Sequence, residues 1–135
     1  MSEGRVTVVR RGTELVDNVE IKLDAAATDG AFTILELHLE PGARSGEHRH
    51  TAELEAFVVV EGRLEITASG AAWELEVGDA VTLPRDLPHT FANAGDGPMR
   101  ALIVTAPAGL ERFFRDLAAG TDADEASQRA GLAPG

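Results

Sequence analysis

The sequence predicts an all-β domain, a small barrel or sandwich, followed by a short helical tail. Three observations predict this. Polar and apolar side chains alternate with a period of two from the start to about Thr105. Glycine or proline turns interrupt that alternation at close spacing and leave about ten short strands. Beyond Pro107 the apolar period changes to that of a helix.

Residues 5–10 read as a first strand, with Val6, Val8 and Val9 apolar. Residues 19–23 are a second and weaker one. In residues 31–39, Leu35, Leu37 and Leu39 share one face and Phe32 and Ile34 the other, before Pro41-Gly42 breaks the run. Residues 44–50 are short and extended. Residues 55–60 and 63–68 are expected to form a hairpin around Glu61-Gly62. Ser69-Gly70 turns the chain into 72–75, and Val77-Gly78-Asp79 is another turn. Strands 80–83, 89–93 and 99–105 complete the set.

Leu110, Phe113, Phe114 and Leu117 then recur at helical spacing between Pro107 and Gly120. A helix packed on the outside of the barrel accounts for this better than a mobile lid over an active site. Asp122 and Glu125 have capping-box spacing for one more short helix. The final Ala-Gly-Leu-Ala-Pro-Gly is expected to fray. The expectation is one domain over residues 1–135, with a barrel at about 5–105 and a helical segment at about 108–130.

Composition narrows the function. The 44% hydrophobic content suffices for a globular core, and no apolar run reaches the length of a membrane span. The opening Met-Ser-Glu-Gly-Arg lacks the features of a signal peptide, so a cytoplasmic protein is expected. Cysteine is absent, which removes disulfides, thiolate ligands and cysteine nucleophiles. With 23 acidic and 12 basic residues the net charge is -11, which argues against nucleic acid and anionic membranes as partners. The chain has no tyrosine to serve as acid, base or radical partner.

The chemistry concentrates in two segments, Gly42 to Gly62 and Gly78 to Asn93. His48 and His50 are two apart on an extended segment, so they point one way and Arg49 the other. The step from His50 to Glu55 leaves room to cross to a neighbouring strand. Glu53 and Glu55 would share a face, so both are candidates for one carboxylate role. His89 follows Pro88 at the start of a later strand, with Phe91 and Asn93 on its face. Three imidazoles and one carboxylate can hold a divalent transition metal (Fe, Mn, Ni, Co, Cu or Zn) with one or two positions left open. Such a centre would take a carboxylate or enolate directly, while the outer field would slow polyanions. Phe57, Val59 and Phe91 are expected to line an apolar cavity. His38, the fourth histidine, is expected to be structural or solvated.

These segments resemble the paired motifs of the cupin superfamily. Gly42, His48, His50, Glu55 and Gly62 match every fixed position of the first motif. Gly78, Pro84, His89 and Asn93 match the second, with Asp86 where glycine is usual. Aspartate tolerates left-handed geometry, so this departure should alter only a turn. The resemblance implies a double-stranded β-helix, or jelly-roll, barrel with the metal inside. It implies His48, His50, Glu55 and His89 as ligands, which favours Glu55 over Glu53. It also implies a homodimer, with residues 5–10 as a plausible pairing edge. The tail carrying Phe113 and Phe114 is similar to that of single-domain cupins related to quercetin dioxygenases. The absence of Cys and Tyr disfavours the thiol-dioxygenase branch. The expected function is therefore a metal-dependent dioxygenase acting on a small, largely apolar substrate with an enol or carboxylate group, and Glu55 doubles as its catalytic base. The alternatives are a non-oxidative isomerase, cyclase or lyase, and a small-molecule binder without turnover.

Overall fold

The computed structural model describes residues 4–135; Met1–Glu3, and that part of the expected domain and leader-free start, lie outside the described residues. In chain order the elements are β1 (Leu15–Val16), β2 (Val19–Leu23), α1 (Ala25–Thr28), β3 (Thr33–Leu39), β4 (His48–His50), β5 (Leu54–Glu61) and β6 (Leu64–Ala68). They continue with β7 (Ala71–Leu75), β8 (Ala80–Leu83), β9 (His89–Asn93), β10 (Met99–Ala106), α2 (Glu111–Ala118), α3 (Ala123–Ala130) and β11 (Leu132–Pro134). Two antiparallel sheets form a jelly roll, as the alternation predicts. One has the order β1-β2-β3-β10-β5-β8 and the other β11-β4-β9-β6-β7.

The core lies between the sheets and follows from the period of two. Along β10 every second residue is buried, from Met99 through Ala101 and Ile103 to Thr105. Leu35, Leu37 and Leu39 of β3 and Phe57 and Val59 of β5 meet them, and Leu64 and Ile66 of β6 face them from the other sheet. Each buried Leu, Ile, Val, Phe or Met among them contributes about 1.5–3 kcal/mol. No helix among the described residues is long and apolar enough to cross a membrane.

Three expectations are corrected. Residues 5–10 form no strand, and Val6 and Val8 are 83% and 63% exposed. The edge beside β2 is taken instead by β1, brought back by the tight turn at Asp17, whose φ is 50°. A two-residue turn closes locally at little entropic cost, so the nearer segment takes the edge. Second, β5 and β6 do not form a hairpin. β5 pairs with β10 and β8, whereas β6 pairs with β7 and β9. The chain changes sheet at Gly62 (φ 77°), where a Cβ would stand 2.5 Å from the Pro98 carbonyl oxygen. The glycine is needed for a corner packed against backbone, not for a hairpin turn.

The third correction concerns the C-terminus. Expected to fray, it forms β11, antiparallel to β4, with Leu132 opposite His50 and Pro134 opposite His48. Pro134 can sit there because β11 is an edge strand. The helical tail is as expected: α2 packs outside the sheets, and Asp122 caps α3 by accepting from the Asp124 and Glu125 amides. Two polar anchors hold α2. Buried Glu111 accepts from Thr33 Oγ1 (2.6 Å), the Gly109 amide (3.1 Å) and the Ala25 amide (2.8 Å). Arg115 donates to both Glu14 oxygens at 2.9 and 2.8 Å and to Asp24 Oδ2 at 2.9 Å.

Candidate metal centre

The two sheets contribute different donors to one point between them. β4 carries His48 and His50 on one face, and its pairing with β9 sets His48 directly opposite His89. Glu55 arrives from β5 in the other sheet. The ring centroids are 4.5 Å apart for His48–His89, 5.3 Å for His48–His50 and 5.6 Å for His50–His89. One nitrogen from each ring lies within 4.8 Å of the others. Glu55 Oε1 stands 3.3 Å from His50 Nε2 and 3.1 Å from His89 Nε2. The three histidines therefore converge, and Glu55 reaches two of them, His50 and His89.

Hydrogen bonding decides which nitrogens face inward. His48 Nδ1 lies 2.9 Å from the Gly46 carbonyl and His89 Nδ1 2.9 Å from that of Leu87. A carbonyl only accepts, so in both rings Nδ1 carries a proton, and in the neutral form Nε2 keeps its lone pair. His50 Nε2, His89 Nε2 and Glu55 Oε1 are buried without a hydrogen-bond partner. Orphaned buried donors and acceptors are costly, and here they are concentrated where one cation would satisfy them together. The donor set thus fits a divalent metal ion.

The electrostatics agree. Burial alone would raise the Glu55 carboxyl, but the facing His50 and His89 rings outweigh it and bring its pKa down to about 2. Glu55 is therefore ionised at neutral pH. Burial lowers the pKa of His48, which leaves that ring neutral there. For His89 burial is outweighed by Glu55 and the Leu87 carbonyl, and its pKa is raised. A metal binding at this ring must displace a more firmly held proton.

The other candidates separate cleanly. Glu53 Oε1 lies on the Nδ1 side of His50, at 3.8 Å, away from the Nε2 that faces Glu55. His38 points away from this centre, its side chain 44% exposed, and its nearest acidic partner is Glu36 at 3.7 Å. Glu20, Glu36 and His38 form a second group near ligand spacing. Its carboxylates already have cations: Lys22 Nζ stands 3.3 Å from Glu20 and 3.2 Å from Glu36, and Arg100 Nη1 2.7 Å from Glu36. Asn93 serves structure, donating to the Leu39 and Gly97 carbonyls and accepting from the Gly95 amide. Asp86 adopts φ 65°, the left-handed turn expected of it.

A cavity of about 580 Å³ opens beside His48, His50 and Glu55, with His89 behind its lining. That volume suits a drug-sized organic molecule. Phe91 lines it as expected, but Phe57 and Val59 do not; they are 0% and 1% exposed within the core. The walls come instead from Ile103 and, beyond the barrel, from Leu110, Phe113, Phe114 and Leu132. The apolar face of α2 was legible as a face, but nothing in its periodicity says that it borders a cavity. Among the described residues lining the cavity, none is Lys or Arg, and Glu47, Glu55 and Asp124 are acidic.

Comparison with known proteins agrees with this architecture. The family model described as "Cupin domain" matches residues 35–105, more than half of the 135-residue chain. Polyketide synthase CurC from Streptomyces cyaneus is 36% identical over 69 residues, which is 51% of this chain and 45% of that protein. The chain spans about half the length of the curated relatives it matches. A conserved protein with a double-stranded β-helix domain from Klebsiella pneumoniae shares the fold, with TM-score 0.62 and 20% identity over 93% of this chain and 88% of that one. A sugar phosphate isomerase from a cupin superfamily in Silicibacter pomeroyi is 28% identical, with TM-score 0.57, covering 67% of this chain and 60% of that one. Both motifs, the two-sheet jelly roll and the matched span lead to one conclusion: the chain belongs to the cupin domain family.

Proposed function

We propose that the chain is a metal-dependent enzyme of the dioxygenase type, acting on a carbon-rich molecule that bears an enol, phenol or β-diketone. The observation that carries this reading is the pairing of a concave donor set with an apolar cavity that has no basic residue among its described lining. His48, His50, Glu55 and His89 are the proposed ligands. The bound metal would supply Lewis acidity toward a carbonyl or enolate oxygen.

The chain's own residues do the rest. His48 and His89 present Nε2 because backbone carbonyls hold Nδ1–H. Glu55 is ionised at neutral pH and suited to ligation; released from the ion, it would take the proton that an enol or phenol loses as its anion forms. Phe91, Leu110, Phe113 and Phe114 surround the carbon skeleton and keep water from the anion. The likeness to polyketide synthase CurC from Streptomyces cyaneus supports a polyketide-like substrate, which is a carbon-rich chain of alternating carbonyls.

Non-oxidative isomerisation or cyclisation is the second reading, favoured by the likeness to the Silicibacter isomerase. A sugar phosphate itself fits poorly, since three carboxylates and no described cation line the cavity.

Oxygen uptake separates the readings. The protein, loaded in turn with Fe(II), Mn(II), Ni(II), Co(II), Cu(II) and Zn(II), is assayed with flavonols, β-diketones and phenolic polyketide analogues. The dioxygenase reading predicts uptake stoichiometric with substrate loss for at least one redox-active ion and none for Zn(II). Oxygen-independent product with Zn(II) would establish the second reading. Tight ligand binding without product would make this a binding protein and overturn both.

A further inference from the structure

The three imidazoles are not held alike. His48 and His89 each have Nδ1 fixed by the carbonyl two residues earlier. His50 has no such bond, and its Nδ1 is buried without a hydrogen-bond partner. The group that faces it is Glu53, whose Oε1 lies 3.8 Å away. Glu53 is itself 4% exposed, and that oxygen too is buried without a partner. Glu53 and Glu55, two residues apart, thus address opposite edges of one ring: Glu55 the Nε2 edge at 3.3 Å and Glu53 the Nδ1 edge.

We propose that Glu53 is a positioning residue for His50, its carboxylate accepting the Nδ1–H hydrogen bond when the metal is bound. This fixes the tautomer whose Nε2 lone pair faces the metal and makes that nitrogen a stronger donor. The present separation must shorten by about 1 Å to reach hydrogen-bond distance, within reach of a small side-chain rotation. Two orphaned buried atoms then satisfy each other. His48 and His89 need no such partner, since neutral carbonyls already orient them. The centre is therefore asymmetric, with one charge-supported imidazole and two carbonyl-supported ones.

The inference rests on the metal-centre reading, and its test keeps the two apart. Zn(II) affinity is measured by chelator competition for the wild type, Glu53→Gln, Glu53→Leu, His50→Ala and the double variant His50→Ala/Glu53→Leu. Glu53→Leu is expected to bind about 10–100-fold more weakly. Glu53→Gln should fall between it and the wild type, because its amide oxygen still accepts but carries no charge. In the His50→Ala background, Glu53→Leu should cost nothing more, since the ring it serves is gone. Melting of the metal-free Glu53→Leu protein should not fall, because the buried, unpartnered Oε1 is lost with the side chain. A purely structural glutamate would lower stability and affinity together.

Wild-type affinity in both Glu53 variants would overturn the inference and leave the metal centre standing. An undiminished loss in the His50→Ala background would overturn it too. A wild type that binds no Zn(II) would overturn both. Should Glu53→Leu fail to fold, the isosteric Glu53→Gln still decides.

Discussion

The barrel and the segment from Pro107 to Gly135 do different work on the same cavity. The barrel supplies the polar end: β4 and β9 from one sheet and β5 from the other bring four donors together. The C-terminal segment supplies the apolar walls, through Leu110, Phe113 and Phe114 around α2 and Leu132 in β11. Donor geometry is fixed by strand register: β5 is held by long ladders to β10 and β8, whereas β4 meets β9 only at His48–His89 and is paired along its length by β11. Wall shape is fixed by a helix and an edge strand held by few anchors, which substitution can reshape without unfolding the sheets. Donors and apolar walls are thereby carried largely by different elements, joined where β11 pairs with β4.

The largest expected effect tests the barrel half. His89→Ala removes one proposed ligand from a buried set and should weaken metal binding by more than the roughly 10–100-fold typical of an outer-sphere change. Elemental analysis after dialysis reads this directly. The sheets should survive, because the backbone pairing of His89 with His48 and Ala68 is unchanged. Retained metal in this variant would break the comparison at its first term.

Glu111→Ala tests how the second half is attached. It strips three hydrogen bonds from a buried carboxylate, and destabilisation of about 2–4 kcal/mol is expected by chemical denaturation. Metal affinity should change far less than stability. Phe114→Ala then probes the wall itself. It should weaken binding of an apolar ligand by about tenfold or more, at a stability cost of about 1–2 kcal/mol, with metal stoichiometry kept. Loss of metal in this variant would show that the two halves are not separable.

The smallest effect is electrostatic. Glu14 is lowered chiefly by its hydrogen bond from Arg115, and Asp24 by the Ala27 amide and then by Arg115. Carboxyls depressed in the folded state stabilise it above their ordinary values and lose that contribution as pH falls through the folded-state values. Melting temperature should therefore drop on acidification below about pH 4.5, and more gently in Arg115→Ala. The pairs are partly exposed, so the difference should stay near or below about 1 kcal/mol.

What the sequence revealed follows the same division. His48, His50 and His89 were legible because a period of two fixes their facing and the glycine spacing fixes the corners, whereas the same period left Glu53 and Glu55 equal and only the resemblance to the cupin motif favoured Glu55. The strands from β2 to β10 were legible for the same reason. Sheet membership at Gly62 was not, since a hairpin and a sheet-changing corner share the same turn residues, and only the Pro98 backbone distinguishes them. β11 was not, because three residues ending in proline gain strand structure solely from the partner that β4 offers. Residues 5–10 looked like a strand by alternation, yet pairing depends on an edge already taken by β1. Glu53 was read as a rival ligand; its place on the far edge of His50 needed the ring's orientation.

The central claim is that four side chains from two sheets share one ion. The most direct test is an anomalous-diffraction map from crystals of the protein loaded with Zn(II). The account predicts a single peak with His48, His50 and His89 nitrogens and a Glu55 oxygen at about 2.0–2.2 Å. A peak at Glu20, Glu36 and His38 instead, or no peak near the three histidines, would contradict it.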